Sequence, residues 1–187
     1  MKKHREELEK QYKTQDLLPI VGIGASAGGL TALKTFFKKL PPNSGLAYVV
    51  VVHLSPEHKS MLAELLQPHV KMPVTQVKDI TRLEPNHVYV IPPNANLNTI
   101  DTHLRLSELE QKRSERTPIY HFFRTLAHTH GDKAIGIVLT GTGSDGTLGI
   151  KEIKEKGGLT IAQDPGEAEY NSMPQSAIST GMVDKIL

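Results

Sequence analysis

The sequence has no cysteine, which excludes disulfide bonds, a thiolate nucleophile and a cysteine-ligated zinc site. Net charge is also small: the formal value is only +2, and no cluster of lysine and arginine is long enough to indicate a nucleic-acid-binding surface. The longest apolar runs have the length of a strand, and the first residues are too polar for a signal peptide. These absences predict a soluble cytoplasmic protein with no nucleic-acid partner and no membrane insertion.

The length of 187 residues suits one domain with a substantial core, and the content of charged and hydrophobic residues is typical of a globular protein. Residues 1–16 are polar and charged, with no apolar face wide enough to pack firmly on a core. We therefore expect residues 1–16 to be an N-terminal tail or linker, and residues 17–187 to form the folded domain.

Short apolar runs alternate with segments of helical periodicity, which predicts an α/β fold with a mostly parallel sheet. Strands are predicted near 18–23, 46–52, 73–77, 87–91, 134–139, 159–162 and 182–187, with a hairpin over 96–106. Helices are predicted near 30–40, 55–67, 117–130, 146–156 and 174–179. The run over 46–52 is apolar throughout, as expected of a strand buried on both faces. In such sheets, ligands and catalytic groups gather at the carboxyl ends of the strands.

A glycine-rich turn joins the first predicted strand to the first predicted helix, in the sequence VGIGASAGGL of residues 21–30. The amino end of a helix offers unpaired N–H groups and partial positive charge, so this turn can hold a phosphate or an oxyanion. The spacing Gly22-x-Gly24-x-x-x-Gly28 resembles a dinucleotide-binding motif but is one residue too long. The second strand ends at His53 instead of an acidic residue, and no Gly-Lys-Ser/Thr loop is present. A nucleotide site is therefore disfavoured.

The same turn fits the G-x-S-x-G pattern of a nucleophilic serine, with Ser26 at its centre. A serine hydroxyl needs a base to take its proton, and His53 follows another buried strand. Asp145 lies in a second glycine-rich loop, residues 140–146, from which it would orient His53 and stabilise the imidazolium ion. The chain order serine, histidine, aspartate differs from that of the α/β-hydrolases. Three strands that each end in one of these residues favour a catalytic triad.

Each of these three residues also has a purely structural explanation. Ser26 is a candidate N-cap of the helix that follows it. His53 is a candidate buried histidine whose hydrogen bonds are satisfied. Asp145 is a candidate cap of the helix that starts near Gly146.

Two pairs of histidines lack the spacing of metal ligands on a helix, which is four residues. His53 and His58 are five residues apart. His128 and His130 are two apart and lie at a polar helix end, where positive charge is favourable, so we expect a solvent-exposed helix terminus there. The sequence predicts no metal site.

Several motifs together resemble the catalytic domain of chemotaxis protein-glutamate methylesterases of the CheB type. They are GASAGG (24–29), VHLSP (52–56), HVYVIPP (87–93), LTGTGSDG (139–146) and MPQSAI (173–178). The resemblance covers about residues 20–187. These motifs in this order are far more specific than the serine motif alone.

The resemblance implies a three-layer α/β fold: a mainly parallel sheet with helices on both faces and some antiparallel pairing at one end. It implies a serine hydrolase that demethylates glutamate methyl esters on the cytoplasmic helices of chemoreceptors during sensory adaptation, and that can deamidate receptor glutamines. Ser26 matches the family nucleophile, His53 the base and Asp145 the acid of the triad. This chemistry needs no metal and no cofactor.

In the implied reaction Ser26 attacks the ester carbonyl, and backbone N–H groups hold the oxyanion. We expect these groups among Ala27, Gly28, Thr142 and Gly143. Ala27 stands where many family members carry threonine, and Thr142 where many carry methionine. These differences concern the oxyanion site rather than the triad.

Stand-alone members of this family carry an N-terminal receiver domain controlled by phosphorylation, which sixteen residues cannot contain. Ala27, the GTGSDG loop and the HFFR run (121–124) more closely resemble the methylesterase segment of methylesterase–methyltransferase fusion proteins. We therefore expect this chain to be part of such a fusion, with a covalently linked methyltransferase domain as a partner. The alternative from another functional class is a non-catalytic docking or regulatory module with the same fold.

Overall fold

The computed structural model describes residues 17–53, 61–107 and 117–187. The tail 1–16, the predicted helix start at Ser55 and the charged segment 108–116 lie outside these residues. In chain order the elements are β1 (Ile20–Ala25), α1 (Gly29–Lys39), β2 (Ala47–Val52), α2 (Leu62–Leu66), β3 (Val74–Gln76), β4 (Ile80–Arg82), β5 (His87–Val90), β6 (Asn96–Ile100), β7 (His103–Ser107), α3 (Pro118–His130), β8 (Ala134–Val138), α4 (Thr147–Glu155), β9 (Leu159–Ala162), α5 (Ser172–Ile178) and β10 (Lys185–Ile186), with 3-10 turns at Gln67–His69 and Gly131–Lys133.

Seven parallel strands form the main sheet, in the order β10-β9-β8-β1-β2-β5-β3. Strand β2 is buried at all of its positions, as its continuous apolar sequence predicted. Strand β1 lies between β2 and β8, where the strand order reverses direction. Such a reversal opens a crevice at the carboxyl ends of the central strands, which is where α/β proteins place their sites.

Helices cover both faces of the main sheet, so the three-layer α/β prediction is confirmed. On one face, α3 and α4 bury Phe122, Phe123 and Ile150. On the other face, α1 and α2 bury Leu33, Phe37 and other apolar side chains. Within the described ranges, every helix falls short of the length and hydropathy that a membrane span requires.

The antiparallel strands form a separate three-stranded sheet, β4-β7-β6, instead of extending one end of the main sheet as expected. The predicted hairpin is its β6–β7 pair. This hairpin packs on α3 through buried side chains such as Leu97 and Leu104, which explains why it leaves the main sheet. The sequence pattern missed β4 because this strand has three residues, of which Ile80 and Arg82 are exposed.

Two other boundaries differ from the predicted ones. The last strand, predicted over 182–187, has only the residues Lys185 and Ile186. Helix α5 begins at Ser172 rather than at Pro174. Proline is tolerated within the first turn of a helix because the N–H groups there have no partner inside the helix.

Packing accounts for the two glycines of β1 that resembled a nucleotide-binding motif. A Cβ atom on Gly22 would lie 2.9 Å from Phe122 Cε1, and one on Gly24 would lie 2.4 Å from Ile119 Cγ2. Both facing residues belong to α3, so this helix rests directly on the backbone of β1. Because Ile119 is in the first turn of α3, the contact brings the amino end of α3 to the carboxyl end of β1.

We expect Gly24→Ala to destabilise the protein by about 1–3 kcal/mol, since the added methyl group overlaps a buried side chain. Urea unfolding measures the change. In the double variant Gly24→Ala/Ile119→Ala the overlapping atom is gone. Its free energy of unfolding should therefore fall by less than the sum of the decreases in the two single variants. Additive losses would contradict the overlap explanation.

His130 corrects the expectation of a solvent-exposed end for the helix that carries it. Its neighbour His128 is exposed, but His130 itself is only 3% exposed. Within the described residues, neither ring nitrogen of His130 has a hydrogen-bond partner. Burial therefore lowers the pKa of His130 to about 4; Asp101 opposes this shift and Lys133 adds to it.

His130 should make the folded state sensitive to acid. Between pH 6.5 and about pH 4 the unfolded chain binds a proton at this ring and the folded protein does not. The contribution of the neutral His130 ring to the free energy of unfolding is therefore fully present above pH 6.5. It falls by about 2–3 kcal/mol as the pH drops through this window. Urea unfolding at pH 7.5 and pH 4.5 measures this loss, and His130→Leu should reduce it. An identical pH dependence in both proteins would contradict the assignment.

Candidate active site

Three chain segments meet at the carboxyl end of the central strands. Ala25 and Val52 are paired across β1 and β2, so Ser26 and His53 directly follow a register pair. Strands in a sheet lie about 4.8 Å apart, which places these two residues side by side where their strands end. On the other side of β1, the loop after β8 starts beside Ser26: the Ser26 N–H donates to the Thr140 carbonyl oxygen at 3.0 Å.

His53 and Asp145, which are 92 positions apart in sequence, form a direct pair. The distance from His53 Nε2 to Asp145 Oδ2 is 2.7 Å. The histidine side chain is 38% exposed and the aspartate side chain only 5%. An ionised carboxylate can only accept hydrogen bonds, so Nε2–H is the donor and Nδ1 remains as the basic nitrogen of the neutral ring.

Asp145 lies at the amino end of α3, a helix from a different part of the chain. Its Oδ2 accepts from the Ile119 N–H at 3.0 Å, and its Oδ1 accepts from the Tyr120 N–H at 2.9 Å and the Gly146 N–H at 2.7 Å. With His53 these donors fill the acceptor capacity of the carboxylate. The predicted alternative was a cap of the helix near Gly146, but the first-turn N–H groups that Asp145 binds are those of α3.

The turn that carries Ser26 is held by backbone bonds. The Gly29 N–H donates to the Ser26 carbonyl oxygen at 2.9 Å, and Gly28 takes a left-handed φ of 72°. Gly28 is the N-cap of α1, and no side chain caps that helix, so the alternative that Ser26 is an N-cap is wrong. Among the described residues, the half-buried Ser26 hydroxyl makes no hydrogen bond with His53.

Two of the predicted oxyanion donors, Ala27 and Gly28, lie in this turn, and the other two, Thr142 and Gly143, lie in the loop after β8. Within the described ranges, the N–H groups of Ala27, Gly28, Thr142 and Gly143 donate to no protein acceptor. Thr142 and Gly143 are exposed, and Gly143 has a left-handed φ of 82° with open space around it. No acceptor among the described residues therefore competes with a ligand for these four N–H groups.

Thr140 and Gln163 are two residues of this site that the sequence analysis did not single out. Thr140 is 1% exposed, and its N–H donates to Gln163 Oε1 at 2.8 Å. Thr140 follows the end of β8, and Gln163 follows the end of β9. Their positions after strand ends were the sequence signal that could have identified them as site residues. Among the described residues, no three histidine, aspartate or glutamate side chains are grouped so that they could hold a metal ion.

Gly141, in the loop after β8, is closely packed against both the turn that carries Ser26 and helix α5. A Cβ on Gly141 would lie 2.9 Å from Ser26 Cβ and 2.2 Å from Met173 Sδ. Gly141→Ala should therefore lower stability by about 1–3 kcal/mol and displace Ser26. Urea unfolding and the labelling rate of Ser26 by a fluorophosphonate measure the two effects. Unchanged values for both would contradict this close packing.

The chain is similar to several known proteins. The family model described as CheB methylesterase matches residues 21–187. A protein of Leptospira interrogans is 37% identical over 166 residues, which are 88% of this chain and 86% of its own length. The protein-glutamate methylesterase/protein-glutamine glutaminase 1 of Carboxydothermus hydrogenoformans is 34% identical over 90% of this chain, which corresponds to 51% of that protein. The crystal structure of the Thermotoga maritima CheB methylesterase catalytic domain superposes with a TM-score of 0.82 at 29% identity, covering 90% of this chain and 92% of that one.

Proposed function

Because this chain belongs to the CheB methylesterase family, we propose that it is a serine hydrolase that demethylates glutamate methyl esters on chemoreceptors and deamidates receptor glutamines. The observation that carries the proposal is the 2.7 Å pair of His53 and Asp145 at the strand ends beside Ser26. Esters and carboxamides are both attacked at a carbonyl carbon, so one set of groups serves both reactions.

In the first half of the proposed reaction, Ser26 Oγ attacks the carbonyl carbon of the glutamyl ester. His53 Nδ1 takes the serine proton, and Asp145 stabilises the imidazolium ion through Nε2–H. The tetrahedral intermediate then collapses: the bond to the methoxy oxygen breaks, and His53 returns its proton to the leaving group. Methanol is released and a glutamyl ester of Ser26 remains; a glutamine substrate releases ammonia instead.

In the second half, His53 takes a proton from water, which attacks the glutamyl–serine ester. The products are the free glutamate side chain and the regenerated Ser26 hydroxyl. In both halves an oxyanion forms beside the amino end of α1. Among the residues that the structure describes, the N–H groups of Ala27, Gly28, Thr142 and Gly143 donate to no protein acceptor, which supports their role as oxyanion donors. One such donor is commonly worth about 3–4 kcal/mol of transition-state stabilisation.

The proposed partners follow from the same family membership. We propose that the substrate is the set of cytoplasmic helices of chemoreceptors and that the protein acts in the cytoplasm as part of a chemotaxis phosphorelay. Residues 17–187 form the catalytic domain and residues 1–16 a tail or linker. We further propose that a methyltransferase domain is covalently linked to this domain in the full-length product, and its gene sequence tests this point directly.

The test compares methanol release from two substrates. One is a methylated receptor fragment, and the other is free glutamate γ-methyl ester. The proposal expects methanol from the receptor at a much higher kcat/KM. A preference for the free ester would overturn the receptor assignment. A folded protein that releases methanol from neither substrate would favour the non-catalytic docking module.

A further inference from the structure

Thr140 uses all of its polar groups to join three segments of the candidate site. Its carbonyl oxygen accepts from the Ser26 N–H at 3.0 Å, and its N–H donates to Gln163 Oε1 at 2.8 Å. Its hydroxyl oxygen accepts from the Tyr170 N–H at 2.8 Å. The single hydroxyl hydrogen has the Ala27 carbonyl oxygen at 3.1 Å and the Tyr170 carbonyl oxygen at 3.2 Å within reach.

The shorter of these two distances leads to the Ala27 carbonyl oxygen, and a hydrogen bond there would orient a peptide on which the proposed reaction depends. That carbonyl belongs to the peptide whose N–H is that of Gly28. The preceding peptide, which carries the Ala27 N–H, is held through the Ser26 carbonyl oxygen by the Gly29 N–H. Because a peptide is planar and trans, holding the carbonyl on one side directs the N–H to the other side. Thr140 and Gly29 therefore together orient both candidate oxyanion donors of the serine turn.

The loop before α5, on the side of Thr140 away from the serine turn, is itself held by hydrogen bonds. The Gly141 N–H donates to the Tyr170 carbonyl oxygen at 2.9 Å, and the Met173 N–H donates to the Gly141 carbonyl oxygen at 3.0 Å. Met173 is fully buried. Thr140 is thus held in place by the loop before α5 on one side, and on the other side it contacts the turn that carries Ser26.

We propose that the Thr140 hydroxyl is a positioning group for the oxyanion site, acting through the Ala27–Gly28 peptide. This inference rests on the proposed serine hydrolase function and adds to it a residue that touches neither substrate nor the triad histidine. It predicts that loss of the hydroxyl slows attack by Ser26 while leaving the acid–base behaviour of His53 unchanged.

The test measures how fast a fluorophosphonate probe labels Ser26, which requires no receptor. Labelling forms a bond from Ser26 Oγ to phosphorus and breaks the phosphorus–fluorine bond; fluoride leaves, and the serine proton passes to His53. Thr140→Val keeps the side-chain shape without the hydroxyl and should slow labelling about 10- to 100-fold at every pH, with the midpoint of the pH profile unchanged. Thr140→Ser restores a hydroxyl and should recover most of the wild-type rate.

Thr160→Val is the matched control for the loss of a buried threonine hydroxyl. Thr160 is fully buried, and its Oγ1 donates to the Met182 carbonyl oxygen at 2.6 Å, in the β9 and β10 region of the sheet. This variant should label at the wild-type rate. Thermal melting of each variant establishes that the folded protein is the species labelled.

Four results would overturn the positioning role of Thr140: wild-type labelling in Thr140→Val, equal slowing in Thr140→Ser, equal slowing in Thr160→Val, or a shifted pH midpoint. A wild-type protein whose Ser26 is never labelled would overturn this role and the hydrolase proposal together. A protein that is labelled as expected but releases no methanol from receptors would overturn only the receptor assignment.

Discussion

Replacing Ser26 by alanine should abolish methanol release, with a fall in kcat of about 10⁴- to 10⁶-fold. The reason is that Ser26 directly follows β1, between the strands that lead to His53 and to the loop with Asp145, which makes its hydroxyl the proposed nucleophile. Stability should hardly change, because Ser26 Oγ caps no helix. Methanol release from a methylated receptor fragment and urea unfolding measure the two quantities.

Ser44→Ala is the control for this variant. Ser44 is also half-buried, and its Oγ accepts hydrogen bonds from the Leu46 N–H and the Tyr48 hydroxyl. It precedes β2, so it lies at the opposite edge of the sheet. This variant should keep wild-type turnover. A folded Ser26→Ala protein with more than a few per cent of wild-type activity would exclude Ser26 as the nucleophile.

Replacing Asp145 by asparagine should lower kcat by about 10³- to 10⁴-fold and destabilise the protein by about 2–4 kcal/mol. Four donors surround the carboxylate: the His53 ring and the N–H groups of Ile119, Tyr120 and Gly146. An asparagine amide must turn its NH₂ group toward two of them, whichever way it is oriented. The variant therefore loses both the orientation of His53 and part of the anchor at α3.

Glu152→Gln is the matched control, since it removes a carboxylate that also pairs with a histidine. Glu152 Oε2 lies 3.1 Å from His128 Nε2; the histidine side chain is 57% exposed and the glutamate side chain 24%. Loss of this pair should lower the free energy of unfolding by less than about 1 kcal/mol and leave turnover unchanged. If Asp145→Asn lost no more activity than Glu152→Gln, Asp145 would not be the residue that orients the base.

Much of the fold was predictable because each central strand carries its own signal. The run Ala47–Val52 is apolar at every position, and the glycines in the turn after β1 and in the loop after β8 mark sharp turns that follow strand ends. Parallel strands bring their carboxyl ends to one edge, so Ser26, His53 and Asp145 were expected to converge. Strand β4 was missed because a strand of three residues, two of them exposed, leaves no periodic pattern.

The sequence by itself determined the order of strands and helices, the chemical groups at the strand ends and the motifs that indicate the family. Only the tertiary structure decided which groups meet. The partner of the Asp145 carboxylate is the amino end of α3, 25 and 26 positions away. The burial of His130 and the contacts of Thr140 likewise depend on segments remote in sequence. Local periodicity records which face of an element is apolar, whereas such contacts are set by how the elements pack around β1.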